Sequence, residues 1–408
     1  MVIITRMRRG EFILLIASLM SITAFAIDII LPAFNEISVY YGLDHDNQRQ
    51  GIISYYLMGL GIAQLLFGPL SDRYGRKPVL LFSLGLYFAL AIYSALTTSF
   101  SSFLLARFLQ GLASGGPSVI AVALIRDRYR GKFMARVTSI AVSIFITVPI
   151  FAPLLGQLLL FIMPWRYLFY LLALYSLGII IWVSYRMSES APLQVEVKGL
   201  LMSSLIRYGQ VLSHASSVML LCASGILVGL MFSYLSAAQQ VFVNTYQTGN
   251  LFPLYFAVIA FSIVLSSLIN ARIVIRFGTV RIIENAILVM LVVTCCDYFF
   301  SLWHEPNLYE YLFFQFLIIF TLGFLRPNLL ARAMEKLGAI AGTASAFGGF
   351  VVNFGGATIG YIVAQQYDGT NLSLASGNVI VVLASLALLY IHRLKSKRDE
   401  RLLGIKRH

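Results

Sequence analysis

Twelve long apolar stretches run through the chain and leave little of it for anything but membrane-spanning helices. They lie at residues 12–33, 50–70, 78–97, 101–125, 134–161, 167–186, 213–239, 250–271, 281–301, 308–330, 338–364 and 372–393. Each reaches the ~20 residues that a helix needs to cross the hydrocarbon core of a bilayer. The pattern predicts an all-α integral membrane protein with twelve transmembrane helices.

Lysine and arginine are concentrated in every second connection between these stretches. All but three of the 30 lysines and arginines lie in the two tails, in the even-numbered connections or at the stretch ends that adjoin them. The exceptions are Arg49 and Arg166, near odd-numbered connections, and Arg107 inside the fourth stretch. Because cytoplasmic loops carry the excess of lysine and arginine, we expect both termini in the cytoplasm. Two termini on one side require an even number of spans, in agreement with twelve.

The composition argues against a soluble or nucleic-acid-binding protein. A chain that is 59% hydrophobic and 12% charged cannot bury its apolar surface in a soluble core of this size. The formal net charge of +13 is spread over the tails and several connections, so we expect no contiguous basic face and no nucleic-acid partner. Attraction to anionic lipids of the inner leaflet is the expected use of this charge.

The sequence does not support an enzyme, a cofactor or a metal site. The three cysteines, Cys222, Cys295 and Cys296, lie in apolar stretches without metal-ligand or disulfide spacing. The five histidines lie near span ends, in loops or in the tail. The sequence also has no phosphate-binding Gly-Lys-Ser/Thr run, which disfavours transport driven by ATP.

The longest polar interval divides the spans six and six. We predict an N-terminal six-helix bundle at 1–186, a cytoplasmic linker at 187–212, a C-terminal six-helix bundle at 213–393 and a basic cytoplasmic tail at 394–408.

A weak internal repeat supports two pseudo-symmetric bundles. Arg73 and Gly75, separated by an aromatic residue after the second span, correspond to Arg276 and Gly278 after the eighth. Repeats of this kind allow many secondary transporters to build a central site between two bundles.

Asp28 is the only acid in the first span. A carboxylate at membrane depth costs about 2.5–3.5 kcal/mol on insertion scales, so it normally faces a cavity and has a function. Pro32, one turn later, should loosen the helix there. We interpret Asp28 as a group that binds and releases a proton; the alternative is an acid that stays protonated and hydrogen-bonded to a neighbouring helix.

Arg107 is a fixed positive charge in an apolar span and needs partners. Gln110, one turn further on, and helix carbonyls are candidates. We expect Arg107 to face the cavity and to influence the protonation of Asp28. The alternative is an arginine that extends to the membrane surface from near a helix end.

Two further groups of residues suggest mechanical roles. Gly68, Asp72, Arg73, Gly75 and Arg76 follow the second span, where the glycines indicate a tight turn and the acid suits a helix N-terminus. The alternative for this loop is a simple positive-inside anchor.

In the fifth span, Pro149, Pro153 and Gly156 predict a kinked helix that packs closely on a neighbour across the interface between the two halves. Prolines are also common in membrane helices without a special role.

Polar side chains inside spans are candidates for a substrate cavity. These are Tyr55, Tyr56, Gln64, Gln110, Tyr234, Gln239 and Asn353. Amide and phenol groups in hydrocarbon must find partners or water. Simple packing is the alternative for the aromatic ones. Asp297 lies near the end of the ninth span, where interfacial solvation explains it, and we assign it no role.

The motifs resemble those of the major facilitator superfamily. The loop Gly68-x-Leu-x-Asp72-Arg73-x-Gly75-Arg76-Lys resembles its cytoplasmic loop motif, and Arg107-Phe-Leu-Gln110-Gly resembles a motif of its proton-coupled drug exporters. The run Ala-Pro153-Leu-Leu-Gly156-Gln departs from the antiporter pattern at its first and last positions. With the Asp28 region and Asp127 at the end of the fourth span, the chain resembles the Bcr/CflA branch of drug:proton antiporters.

This resemblance implies a fold, a function and roles for residues. The fold is that of two six-helix bundles, and Asp28 is the proton-carrying and substrate-sensing acid. Asp72 pairs with Arg76 and Asp127 as a cytoplasmic gate, whereas Ile275 replaces the acid in the second repeat. The implied function is proton-coupled efflux of an amphipathic small organic compound: a drug, an antibiotic or a siderophore-like metabolite.

The expected protein is a monomer in the bacterial inner membrane. A proton symporter or a facilitated uptake carrier shares the same topology and stays open as the alternative.

Overall fold

The computed structural model describes residues 7–189, 200–335 and 337–402. The middle of the predicted linker and the end of the predicted tail lie outside these residues. Fourteen α-helices, α1 to α14, follow one another along the described chain. They are Arg9–Asp28, Phe34–Tyr41, Gly51–Tyr74, Arg76–Leu96, Phe100–Arg128, Gly131–Leu160, Arg166–Arg186, Leu200–Ser213, Ala215–Gln239, Phe252–Trp303, Leu308–Met334, Ala341–Phe350, Gly356–Gln365 and Asn371–Leu402.

Eleven helical segments of the described chain are long and apolar enough to cross a membrane. The longest, Gly249–Trp303, is interrupted at Gly278, whose φ of 76° and ψ of 159° are not helical. Glycine adopts a positive φ without a steric penalty, so the interruption falls at the residue best suited to it. It divides the segment into the predicted eighth and ninth spans, and the all-α membrane architecture is confirmed.

The first span is not one helix. Helix α1 ends at Asp28, a 3₁₀ turn covers Leu31–Ala33, and α2 continues from Phe34. Pro32 has no backbone N–H, so it cannot donate to the Asp28 carbonyl as the next helical turn requires. The stretch predicted at 12–33 therefore contains α1 and the 3₁₀ turn, α2 extends beyond it, and the acid is the last residue of α1.

Two of the spans contain π-helical turns. Gln240–Thr245 follows α9, and Val351–Gly355 lies between α12 and α13. Turns of this type are rare, and they occur frequently at functional sites.

The chain divides into two compact units. The first consists of Met1–Met202 together with Phe242–Ala257, and the second of Ser203–Val241 together with Val258–His408. The boundary between Met202 and Ser203 falls inside the predicted linker. The bundle limits at 186 and 213 stay predictions.

Close approach of α3 and α5 organises the first unit. A methyl group added to Gly59 would collide with the carbonyl oxygen of Phe108, and one added to Gly111 would collide with the carbonyl oxygen of Tyr56. The two backbones can therefore pack this closely only because both positions lack a side chain. This packing brings Arg107 of α5 against Tyr56 of α3.

In the second unit, α13 packs on α9 in the same way. A methyl group on Gly360 would lie 2.7 Å from the backbone nitrogen of Ser233, and one on Gly225 would lie 2.7 Å from the carbonyl oxygen of Val351. Small residues thus allow close helix packing in both units.

Candidate functional site

Asp28 is buried at the end of α1, with 3% of its surface exposed. Its carboxyl group makes no hydrogen bond or ion pair with any residue that the structure describes. Burial without a partner disfavours the charged form, and so does the negative end of the helix dipole. Among the described residues, the Asp28 carboxyl group therefore does not form the hydrogen bond to a neighbouring helix that the alternative predicted.

The side chain of Arg107 is completely buried, and it contacts hydrogen-bond acceptors and aromatic rings. Its Nη1 donates to Gln110 Oε1 at 2.5 Å, its Nη2 donates to the Ala26 carbonyl at 2.8 Å, and its Nε donates to the Ile52 carbonyl at 3.3 Å. The guanidinium carbon lies 4.5 Å from the centre of the Tyr56 ring. This arginine does not extend to the surface, and the predicted partnership with Gln110 is present.

Arg107 and Asp28 meet at the same turn of α1 without touching. The guanidinium contacts the carbonyl of Ala26, two residues before the acid, and no ion pair joins the two side chains. A cation near the last carbonyls of a helix is favoured by the helix dipole. The structure therefore connects the two predicted residues through the α1 backbone and not through a direct charge contact.

Helix α6 packs against the chain immediately after Asp28. Gly156 lies so close to the carbonyl oxygen of Ile29 that a Cβ atom there would collide with it. Pro153 and Pro149 lie within the same helix, about one and two turns earlier respectively. The close contact at Gly156 lies within the first unit, against the helix end that carries the acid, whereas the sequence predicted a neighbour in the other half.

Three charged residues of the predicted gate come together at the other end of the first unit. Arg76 Nη1 lies 2.5 Å from Asp72 Oδ1, and Arg76 Nε lies 3.3 Å from Asp127 Oδ2. Ser71 Oγ also accepts from Arg76 Nη1, at 2.6 Å. Gly75, with φ at 94°, turns the chain from α3 into α4 and so presents Arg76 to both acids.

Gly68 and Arg73 are peripheral to this cluster. The carbonyl of Gly68 accepts from Ser71 Oγ at 3.0 Å, which fixes the serine beside Arg76. Arg73 is exposed, and its guanidinium lies 5.1 Å from the centre of the Tyr74 ring.

Glu189 completes the same cluster, and the sequence did not indicate it. Its carboxylate accepts from the backbone N–H groups of Arg76 at 2.8 Å and of Lys77 at 3.1 Å. An anion at a helix N-terminus satisfies otherwise unpaired N–H groups. The carboxylate lies where a Gly75 side chain would be, 2.6 Å from an added Cβ. An acid shortly after the sixth span was the only available signal.

The predicted cavity residues divide between the units. In the first, Tyr56 and Gln110 are buried beside Arg107, whereas Tyr55 and Gln64 of α3 are partly exposed.

In the second unit, Tyr234 and Gln239 are buried on α9. Asn353 lies in the π-helical turn Val351–Gly355 and is partly exposed, and its Nδ2 donates to the Gly349 carbonyl at 2.9 Å.

Asp297 is buried, so interfacial solvation does not explain it. Only 3% of its surface is exposed, and its carboxylate accepts from Asn371 Nδ2 at 2.9 Å. Ser301 Oγ lies 2.8 Å from the same nitrogen, and Glu305 Oε1 accepts from the Asn371 backbone N–H at 2.6 Å. Asp297 and Glu305 thus hold the first residue of α14, which is a structural role.

Comparisons with known proteins agree on one family. The family model described as Major Facilitator Superfamily matches residues 14–360. A bicyclomycin resistance protein homolog of Haemophilus influenzae is 25% identical over 95% of this chain and 98% of its own length. The multidrug resistance protein MdtL of a Shewanella species is 39% identical, over 37% of this chain and 38% of its own.

Solved structures show the same fold at low sequence identity. The xylose transporter XylE from E. coli, in a partially occluded inward-open conformation, is similar with a TM-score of 0.69 and 14% identity, over 93% of this chain and 96% of that one. The human organic anion transporter MFSD10 is similar with a TM-score of 0.64 and 15% identity, over 94% of this chain and 100% of that one. At these identities the likeness concerns the fold alone.

Proposed function

Because the chain belongs to the Major Facilitator Superfamily and is a multi-pass membrane transporter, we propose that it is a proton-coupled efflux antiporter. Its substrate is an amphipathic small organic compound, and it works by alternating access. The proposed protein is a monomer in the bacterial inner membrane with both termini in the cytoplasm. The relatives named for bicyclomycin and multidrug resistance support an exporter, and the protein is not an enzyme.

The observation that carries the proposal is Asp28, a buried acid at a break in the first span that has no partner among the residues the structure describes. Such a group is neutral when it holds a proton and costly when it is charged. A bound substrate that offers a positive or hydrogen-bonding group there would compensate the charged form. Proton and substrate then exclude each other, which is the thermodynamic requirement for exchange.

Arg107 supplies a permanent charge that is fixed to the same turn of α1. It holds the Ala26 carbonyl, so a change in the helix end at Asp28 must act on the guanidinium and its partner Gln110. Gly156 lets α6 contact the same end at Ile29. We infer that protonation of Asp28 alters the packing of α1 on α5 and α6.

The cluster of Asp72, Arg76, Asp127 and Glu189 acts as the cytoplasmic gate in this proposal. The Arg76 side chain is 12% exposed, whereas the Asp72 side chain is 60% exposed, so the Asp72 side of the cluster is accessible to water. Exposed ion pairs contribute little stability, which suits a contact that must open in each cycle. Lipids with anionic headgroups are the expected neighbours of the remaining cations on this side.

Transport direction tests the proposal. The purified protein is reconstituted in vesicles with an acidic interior, and uptake of a panel of amphipathic antibiotics is measured, starting with bicyclomycin. An antiporter accumulates the probe as protons leave, whatever its orientation. A symporter would instead lose preloaded probe with the protons, and that outcome would replace the proposal with the alternative of a proton symporter.

A further inference from the structure

A hairpin between the seventh and eighth spans belongs to the first unit. The segment Phe242–Ala257 groups with residues 1–202, although the chain on both sides of it belongs to the second unit. The segment covers most of the π-helical turn Gln240–Thr245 and the beginning of α10. Its attachment to the first unit must therefore come from contacts that the first half of the sequence provides.

Two side-chain contacts provide this attachment. Asn244 Nδ2 donates to Asp46 Oδ2 at 2.8 Å, and Gln157 Nε2 donates to Asn250 Oδ1 at 3.3 Å. Asp46 precedes α3, whereas the gate residue Asp72 lies near its end. At ~1.5 Å per residue this 24-residue helix separates the two acids by roughly 36 Å. The hairpin is thus attached at the end of the unit that is remote from the Asp72 gate.

The buried side chain of Arg49 forms an ion pair with Asp46. Arg49 is 1% exposed, and its Nη2 lies 3.5 Å from Asp46 Oδ2. Its Nη1 donates to the side-chain oxygen of Asn35. A charge buried this deeply requires an opposite charge and hydrogen bonds, so Arg49 constrains both partners. The chain offers no other acid in ion-pair contact with Arg49 among the residues that the structure describes.

Asn35 connects this arrangement to the break in the first span. It lies on α2, which begins directly after the 3₁₀ turn that follows Asp28. A shift of α2 must therefore move the acceptor that holds Arg49. The four residues Asn35, Arg49, Asp46 and Asn244 form a continuous set of contacts from the helix break to the hairpin, which we call the hairpin clasp.

We propose that the hairpin clasp holds the hairpin on the first unit, that Arg49 is the positioning residue that sets Asp46, and that transport requires the clasp to open. Asp46 is 52% exposed, so its bond to Asn244 forms in competition with water and is the part that releases. Asn35, Arg49 and Asp46 stay together because separating a buried arginine from its partners is costly. Only the requirement for opening rests on the proposed transport function.

Hydrogen–deuterium exchange of the full-length protein tests the contact without any substrate. We expect Asn244→Ala and Arg49→Gln to raise exchange of the 242–257 backbone several-fold. Arg49→Lys keeps the charge but loses the planar fork, so it should give an intermediate increase. The matched control is Asp44→Asn, an exposed acid of the same connection that makes no hydrogen bond or ion pair with the described residues, and it should leave exchange unchanged. Parental exchange in Asn244→Ala, which alters only a partly exposed side chain, overturns the clasp.

Reversible cross-linking tests whether opening is required. With the native cysteines Cys222, Cys295 and Cys296 replaced by serine, the double variant Asp46→Cys/Asn244→Cys is joined by a short bis-methanethiosulfonate reagent. We expect exchange of substrate to stop in the cross-linked protein and to return after reduction, and each single cysteine variant to stay active.

The two experiments separate failure of the clasp from failure of the proposed function. Transport at the parental rate in the cross-linked protein would show that the clasp does not need to open. If no antiport is found but the exchange result holds, the proposed function fails while the contact stands.

Discussion

Arg107 donates a hydrogen bond from Nη2 to the main-chain oxygen of Ala26, 2.8 Å away and two residues before Asp28. The fixed cation of the first unit therefore acts on the backbone beside the acid. A direct ion pair would hold Asp28 in its charged form and oppose proton uptake. Contact through the backbone leaves the carboxyl group free to change its protonation state while the helix end stays attached to α5.

Replacing Asp28 with asparagine tests the central role of this acid. Asparagine keeps the size of the side chain but removes titration, so we expect a folded protein that binds neutral substrate and does not drive exchange. The measurement is pH-driven uptake in vesicles, together with substrate-induced proton release in detergent at mildly alkaline pH. Glu36→Gln, an exposed acid of α2, is the control and should stay active. If Asp28→Asn pumps as well as the parent, the coupling acid lies elsewhere.

Replacing Arg107 with lysine tests the backbone contact. Lysine keeps the positive charge but cannot reach Gln110, Ala26 and Ile52 together, because it lacks the planar fork. Each buried acceptor left without a donor costs about 1–3 kcal/mol, so thermal stability in detergent should fall and exchange should drop at least ~10-fold. Arg73→Lys, at an exposed position, should change neither. Full activity in Arg107→Lys would show that charge alone is sufficient.

The twelve spans could be predicted from the sequence because the bilayer sets a minimum apolar length that the stretches satisfy. The end of α1 at Asp28 was visible only as Pro32, and the sequence could not show that the chain would continue as a 3₁₀ turn and a second helix. Sequence periodicity also cannot show that the helix of the eighth span runs on as far as Gly278, where φ and ψ leave the helical range.

The site was predictable where it depends on local motifs and unpredictable where it depends on distant contacts. Asp72 lies near the end of α3 and Arg76 begins α4, and the resemblance of their loop motif implied the ion pair between them. Glu189 contacts Arg76 from 113 positions further along the chain, and Gly156 contacts Ile29 across 127. Contacts of this kind depend on tertiary packing, which a single sequence does not reveal.

Gly156→Ala tests the contact between α6 and the end of α1. The added methyl group would collide with the Ile29 carbonyl, so we expect a loss of about 1–3 kcal/mol of stability and slower exchange. Gly178→Ala in α7 is the matched control, because nothing lies within 4 Å of its added Cβ. Alanine is the better helix former, so this control should be neutral or slightly stabilising. The measurement is thermal unfolding of both variants. A Gly156→Ala variant as stable as the parent would contradict the close packing.

Glu189→Ala tests the residue that the sequence did not indicate. Its removal leaves the N–H groups of Arg76 and Lys77 without their carboxylate, at a cost of about 0.5–2 kcal/mol for a lost N-terminal cap. We expect faster hydrogen exchange at the start of α4 and a looser Arg76, and hence a gate that closes less completely. Glu189→Gln keeps an acceptor and should recover part of the protection, whereas the control Glu284→Ala, at an exposed ion pair in the second unit, should leave α4 unchanged. Unchanged exchange at residues 76–80 in Glu189→Ala would show that this carboxylate does not hold the gate.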